Sequence, residues 1–476
     1  MKRPWRCYRL PRIMLEPVDD LVLPAESDTV EGEAVESEAE DDDESEDDGE
    51  SGSETESSED ETPSGPSGVA IKAFSKLTRR YAFSLNQVFC SSQTDLTIGE
   101  LEEKAELVNG LRTRLLPSMR TQLSALLQSL DLSEYPIHPC PNPESTAEIL
   151  SALGDLLKET QDAVEEIALE PPLPSAEHDH HLKDLKIFRS NHLLWKTKDI
   201  IQNHLCEILS ICDQYIVMWE AEGIDREDSD HQARLSNCRK EIVEMSATCK
   251  DLMDDLIEWI SLSDFGMLQK DWRVSSKKLD RLLAALVEMN NGTFGKPERG
   301  DTQTDGEDIR AADEENRARS IQLARSAMPI IKLGRIFYDK LSKTTGKKIP
   351  FKLNAGICSK EIDALRNKMD SLDTQIDHIL GLVCAIYQTD EHIGSRIKSL
   401  KSVTFQAWRC LQAALLTLAF HLQPSDPDGR NDDAHNNFKT WFLVLENQFR
   451  LAGSNLKDTV DSCFGEHEEE DESDRD

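Results

Sequence analysis

Apolar positions recur at helical spacing along almost the whole chain from Val69 to about residue 465. Two runs are regular enough to define a face. Leu235, Cys238, Ile242, Met245, Cys249, Leu252, Leu256 and Trp259 are spaced alternately by three and four residues, as are Ile362, Leu365, Met369, Leu372, Ile376, Ile379, Val383 and Ile386. That period is the seam of helices packed side by side. Each seam covers only about four heptads among other amphipathic stretches, which favours packing inside one chain over an intermolecular coiled coil. No stretch alternates convincingly with the period of two that a half-buried strand requires.

Less regular faces complete the set. Phe74, Leu77, Tyr81, Leu85 and Val88 predict a first helix. Thr97 and Glu100 have capping-box spacing for a second, which carries Leu101, Val108, Leu115, Leu123 and Leu130 and should kink at Pro117. Ser145 and Glu148 repeat the capping signature for a third helix, which runs to about Leu169 before Pro171, Pro172 and Pro174 break the chain. A long fourth helix is predicted from about Asp179 to Glu220, followed by the first seam and a sixth helix over 268–289 with Leu279, Leu282, Leu283 and Leu286 on one side. Beyond the glycine-rich stretch at 291–308 come a helix over 309–342 bent at Pro329, the second seam, a helix over 393–421, and a last one marked by Phe438, Trp441, Leu445, Phe449 and Leu456. The predicted fold is all-α: two antiparallel helical bundles, 69–290 and 309–465, joined by a 291–308 linker.

Charge alters this picture at the ends. The 476 residues carry a net charge of −37, yet 26–61 holds twenty acids and no base, and 466–476 holds eight acids with Arg475. Those segments account for −27, leaving the body near neutral for its size. Residues 1–68 offer too little to bury and are expected to be disordered, with 466–476 as an acidic tail. Ser45, Ser57 and Ser58 each have an acid three residues on and are candidate phosphorylation sites. The opposite pole is 317–353, which has a net charge of +9. Its Arg325, Lys332, Arg335, Lys340, Lys343, Lys347, Lys348 and Lys352 are candidate anion- or partner-binding residues, and Arg325, Lys332 and Lys343 share a stripe opposite Ile330, Phe337 and Leu341. No aromatic residues interleave with these bases as stacking platforms, and the background is acidic, so direct nucleic-acid binding is not expected. A mobile polyanion in the same chain would instead give the basic segment a diffuse cover over Lys340 to Lys352.

The chemistry-bearing motifs are sparse. Gly346-Lys347-Lys348 lacks the leading glycine of a phosphate loop, because position 341 is Leu, and there is no GxGxxG, HExxH or GxSxG. Glu177 and His180 have the spacing of a di-iron ligand pair, beside His178, Asp179 and His181. No second pair exists, so an exposed helix start is the expected reading. Cys206 and Cys212 near His204 read as buried thiols rather than a zinc site, and the tryptophans and methionines read as core anchors. No catalytic residue, metal or cofactor is assigned. Eleven scattered cysteines and no signal-like or membrane-spanning segment place the expected protein in the cytoplasm or nucleus.

The stretch from Arg325 to Ser342, RSAMPIIKLGRIFYDKLS, resembles a segment of a large family of uncharacterised all-helical rust-fungus proteins, with the likeness extending loosely to about residue 456. In architecture the chain is similar to the two-bundle Grap2/cyclin-D-interacting proteins. Neither resemblance implies an activity. The expected function is non-enzymatic protein interaction or scaffolding through an unknown protein partner, with the acidic ends tuning solubility and binding. The alternatives are an acidic chaperone for basic proteins, acting through 26–61, and an enzyme with a cryptic site inside a bundle.

Overall fold

The computed structural model describes residues 66–80, 88–91, 96–132, 140–169, 171–222, 229–294, 307–342, 351–354, 356–388, 392–424 and 432–465. Ser45, Ser57, Ser58, the 26–61 tract, the 466–476 tail and Lys343, Lys347 and Lys348 lie outside them. The fold is all-α. Helix α1 (Pro66–Arg80) leads to a two-residue strand β1 (Cys90–Ser91), then α2 (Ile98–Gly110), a π-helical turn (Leu111–Leu115) and α3 (Leu116–Ser129). Thr97 caps α2 with both arms of the capping box in place, as its spacing to Glu100 predicts. At Pro117 the sequence predicts a kink, and the helix meets the missing donor with the π turn immediately upstream, where the Leu116 N–H reaches back to Leu111 O.

Helix α4 (Pro143–Leu169) starts earlier than its predicted cap. The capping acceptor is Asn142, whose Oδ1 takes the Ser145 N–H at 3.1 Å, with Pro143 as the first helical residue. Thr146 is inside the helix, fully buried and 2.9 Å from Ser129 Oγ. At the far end the buried Lys104 donates to the carbonyls of Glu166 and Ile167, closing the last turn with a cation. Strand β2 (Leu173–Pro174) pairs in parallel with β1. Val88, expected on the first helix, instead leads into β1, where its N–H donates to Asn191 Oδ1 at 2.7 Å. These short strand pairs were not legible, because two or three residues show no periodicity.

The predicted fourth helix begins later than expected. Asp179 sits in a turn, a 3₁₀ turn covers Lys183–Leu185, and α5 (Ile187–Lys198) continues through a π-helical stretch (Asp199–Leu205) into α6 (Cys206–Glu222). Helix α7 (Ser229–Ile260) carries the first seam: Ile242 and Cys249 are fully buried and Leu256 nearly so. Then follow α8 (Asp264–Asn290), α9 (Glu307–Ser342), β3 (Phe351–Leu353), α10 (Ser359–Gln388), α11 (Ile393–His421), β4 (Leu422–Pro424) and α12 (Asp432–Phe464). The second seam, on α10, is buried along its whole length. Pro329 lies inside α9, which runs on through it. β3 and β4 form an antiparallel pair, with Lys352 opposite Gln423.

Packing follows the seams. α1 lies on α4 and α6, α3 on α4 and α7, and α6 on α7. In the second half α9, α10, α11 and α12 form a ring in which each helix touches the next, and α8 packs on α9 and α10. Expected boundary 291–308 thus falls between α8 and α9, two of the most extensively packed helices in the chain. The described residues lie in one compact unit, Thr62–Asp476.

Candidate functional site

The two halves are joined by a polar junction built around the start of α5. Asp179 is completely buried. Its Oδ1 accepts the Ser359 N–H at 2.8 Å, and its Oδ2 accepts the Ile187 N–H at 2.9 Å and the Ser359 hydroxyl. Ser359 Oγ in turn accepts the Phe188 N–H at 2.8 Å, so one carboxylate and one hydroxyl satisfy the first turns of both α5 and α10. Beside them Lys186 donates to Asp264 Oδ2 and to Ile357 O, both at 2.8 Å. Arg189 reaches Leu262 O, Ile260 O and Asp264 Oδ1. Every contact here is a backbone end or a charge partner, which makes the cluster a structural latch. The expectation of a wholly solvated helix start holds for His178, His180 and His181, which are exposed, and fails for Asp179.

A second polar cluster lies one turn further along. His192 Nδ1 is 2.6 Å from Phe188 O, its Nε2 faces the Arg366 guanidinium, and Arg366 Nε lies 3.2 Å from Asp271 Oδ2. Burial, reinforced by Arg366, pushes the His192 imidazole down to about 4, so the ring is neutral with its proton on Nδ1. Burial raises Asp271, Asp363, Asp370 and Asp373 above the ordinary carboxylate range, while Arg366 or Lys278 works against it. Burial also raises the thiols of Cys206, which is half-buried rather than buried as expected, and of the buried Cys212 and Cys249, the last to about 12, which favours their protonated form. His204 lies 3.7 Å from Asp199. Among the described residues no group of three or more His, Cys, Asp or Glu is placed to hold a metal ion, and no helix is long and apolar enough to cross a membrane.

The basic candidates divide by environment. Arg325 donates to Asn290 Oδ1 at 2.6 Å and Arg335 pairs with Asp280, so both tie α9 to α8. Lys340 sits over the Trp441 ring, 4.1 Å from its centroid, and burial lowers its affinity for a proton. Lys332 and Lys352 are exposed. Ile330, Phe337 and Leu341 are buried on the opposite face, as the stripe predicts.

A groove of about 460 Å³ opens beside the first π turn, between α2 and α4. Glu103, Glu106, Glu159, Asp162 and Glu166 surround it with Arg114, which pairs with Glu159, and Leu107, Leu115 and Ala163 form an apolar floor.

The surface most unlike that of a self-sufficient bundle is on α11 and α12. Phe405, Leu416 and Phe420 are 56%, 60% and 72% exposed, and Leu443, Val444 and Leu451 are each more than half exposed. Phe405, Arg409, Gln412, Leu416 and Phe420 follow one outward helical stripe. Gln412 donates to Glu446 Oε1 at 3.0 Å across the α11–α12 seam. Trp408, 5.6 Å from Phe405, has a buried Nε1 with no hydrogen-bond partner among the described residues. Trp195 is likewise 61% exposed, which corrects the expectation that the tryptophans anchor the core; Trp259 and Trp272 do so. The α11 face escaped sequence reasoning because α11 carries apolar residues on both sides, and spacing alone does not say which side is covered.

Two comparisons bear on these halves. Residues 104–261 match DUF8723, a domain of unknown function. Residues 263–458 match a second, DUF8721. The division between the matches falls at Leu262, whose carbonyl Arg189 holds at 2.8 Å, and it groups α8 with the helices that follow, as the packing does. No curated protein and no solved structure matches the chain.

Proposed function

We propose that the chain is a non-enzymatic protein-interaction protein of the scaffold type, which recruits a protein partner through the outward face of α11 and α12. One observation carries this reading: six large apolar side chains stand more than half exposed on two adjacent helices, whereas among the described residues of α8, α9 and α10 only Val274 does. Phe405, Leu416 and Phe420 share one stripe of α11, Leu443 lies beside the α11 contact of α12, and exposed apolar surface of that kind marks interaction sites, because leaving it in water is unfavourable. The polar clusters at Asp179 and His192 support the same reading, since their groups are directed at backbone ends and at one another. The proposed compartment is the cytoplasm or nucleus, in keeping with the free thiols of Cys212, Cys238 and Cys249.

The test compares proximity labelling in the native cell by the wild-type chain and by a Leu416→Glu/Phe420→Glu variant. A defined set of neighbours that disappears in the variant is expected. An identical set for both proteins would refute the assignment to this face.

The acidic groove favours a second reading, a chaperone for basic proteins, with four carboxylates besides the Arg114–Glu159 pair adding to the acidic tract. Pull-downs of core histones with the full chain, a chain lacking 26–61, and a Glu103→Gln/Glu106→Gln variant test it. Equal recovery by all three would remove it.

A further inference from the structure

We propose that the occupant of the α11–α12 face is a second copy of this chain, giving a two-fold symmetric dimer. This rests on reading that face as an interaction surface and goes further by naming what covers it.

Phe405, Leu416 and Phe420, with Leu443 beside the Glu446 contact of α12, present on the order of 450 Å² of surface, judged from ordinary side-chain areas, and a stable interface buries about 800 Å² per partner once its polar rim is included. The patch has the size of a functional surface patch and, with its polar rim, matches the apolar share of one side of a dimer.

The 26–61 and 466–476 segments hold −27 of the net charge of −37, and the helical body carries the rest with its acids and bases mixed. Helix α11 is an exception: Arg396, Lys398, Lys401 and Arg409 lie on it with no Asp or Glu. Two copies of α11 would repel each other, so the complementary arrangement sets α11 of one copy against the α12 of the other, which carries Asp432, Asp433, Glu446, Asp458 and Asp461.

A two-fold interface uses the same patch twice, so the patch must contain its own partner groups. The exposed Arg409 precedes Gln412 by three residues on α11, and Gln412 holds Glu446 of α12. The two helices run antiparallel, as the pairing of Gln412 with Glu446 and the approach of Gly453 to Thr404 require. Two such helix pairs stacked face to face make a four-helix layer with Leu416 and Phe420 at its centre. In it Arg409 of each copy faces Glu446 of the other.

Sedimentation equilibrium of the full chain at physiological salt, from low to high micromolar concentration, tests the proposal. Twice the 53.7 kDa chain mass is expected for the wild type. Leu416→Glu/Phe420→Glu should sediment as a monomer with an unchanged helical circular dichroism spectrum, since both side chains are exposed. Arg409→Glu and Glu446→Arg should each dimerise several-fold more weakly, and an equal mixture of the two should recover wild-type affinity, because each mixed pair restores opposite charges. A wild-type monomer across the whole range would overturn the dimer. So would a dimer indifferent to Leu416→Glu/Phe420→Glu, or a mixture no tighter than either single variant. A monomer whose labelled neighbours still depend on Leu416 and Phe420 would overturn the dimer and leave the interaction reading standing.

Discussion

Asp179 and Ser359 are 180 positions apart in the chain and joined by a hydrogen bond of 2.8 Å from the Ser359 N–H to Asp179 Oδ1. The same carboxylate takes the Ile187 N–H, so one side chain terminates helices from both halves of the fold. A charged acceptor at two helix starts also meets the positive ends of two helix dipoles. That geometry accounts for a fully buried aspartate.

Asp179→Ala leaves the buried Ile187 and Ser359 N–H groups without acceptors. Each costs about 1–3 kcal/mol, for a total loss of about 2–6 kcal/mol. Ser359→Ala removes the hydroxyl bridge to Phe188 and should cost about 1–3 kcal/mol. The two losses should be strongly non-additive in a double-mutant cycle measured by urea unfolding. A loss below about 1 kcal/mol for Asp179→Ala would contradict the latch.

His192 predicts a pH dependence. Its folded pKa, about 4, lies below the ordinary 6.5, so the unfolded chain binds the proton more readily between those values. Stability is therefore lost as pH falls from about 6.5 toward 4, by at most about 3 kcal/mol. Asp271, Asp363, Asp370 and Asp373 act with the opposite sign: their raised values mean that protonation at falling pH relieves the cost of burying charge. His192→Gln should remove the first effect and keep the second, so the variant should lose less stability than wild type over the same window. Parallel curves from pH-dependent unfolding would contradict it.

Gly334 predicts a packing defect. A Cβ there would lie 2.6 Å from Ile376 Cδ1 of α10. Gly334→Ala gains up to about 1 kcal/mol of helix propensity and loses about 1–3 kcal/mol to overpacking, so a net loss is expected. Ile376→Val removes the offending methyl, and the double variant should be more stable than the sum of the single changes predicts. Additive melting shifts would contradict the close approach.

Local patterns were legible where a single helix face decides them. The α10 seam from Ile362 to Ile386 is buried at every position that its spacing marks, and Thr97 caps α2 through a residue three positions away. Asp179 was not legible, because its partners come from distant sequence. Neither was Asn142, since the capping signature at Ser145 and Glu148 lies one turn inside the real start. The basic segment was legible as a stripe, but its pairing with Asn290, Asp280 and Trp441 depends on neighbouring helices.

The most direct measurement is site-specific photo-cross-linking in the native cell. A photoreactive residue replaces Leu416 on the outward stripe of α11, and in a control it replaces the exposed Lys158 on α4. A discrete, high-yield adduct from position 416, with this chain or with another protein, and only background from position 158 is the predicted result. Equal, diffuse labelling from both positions would contradict the claim that α11 and α12 form an interaction surface.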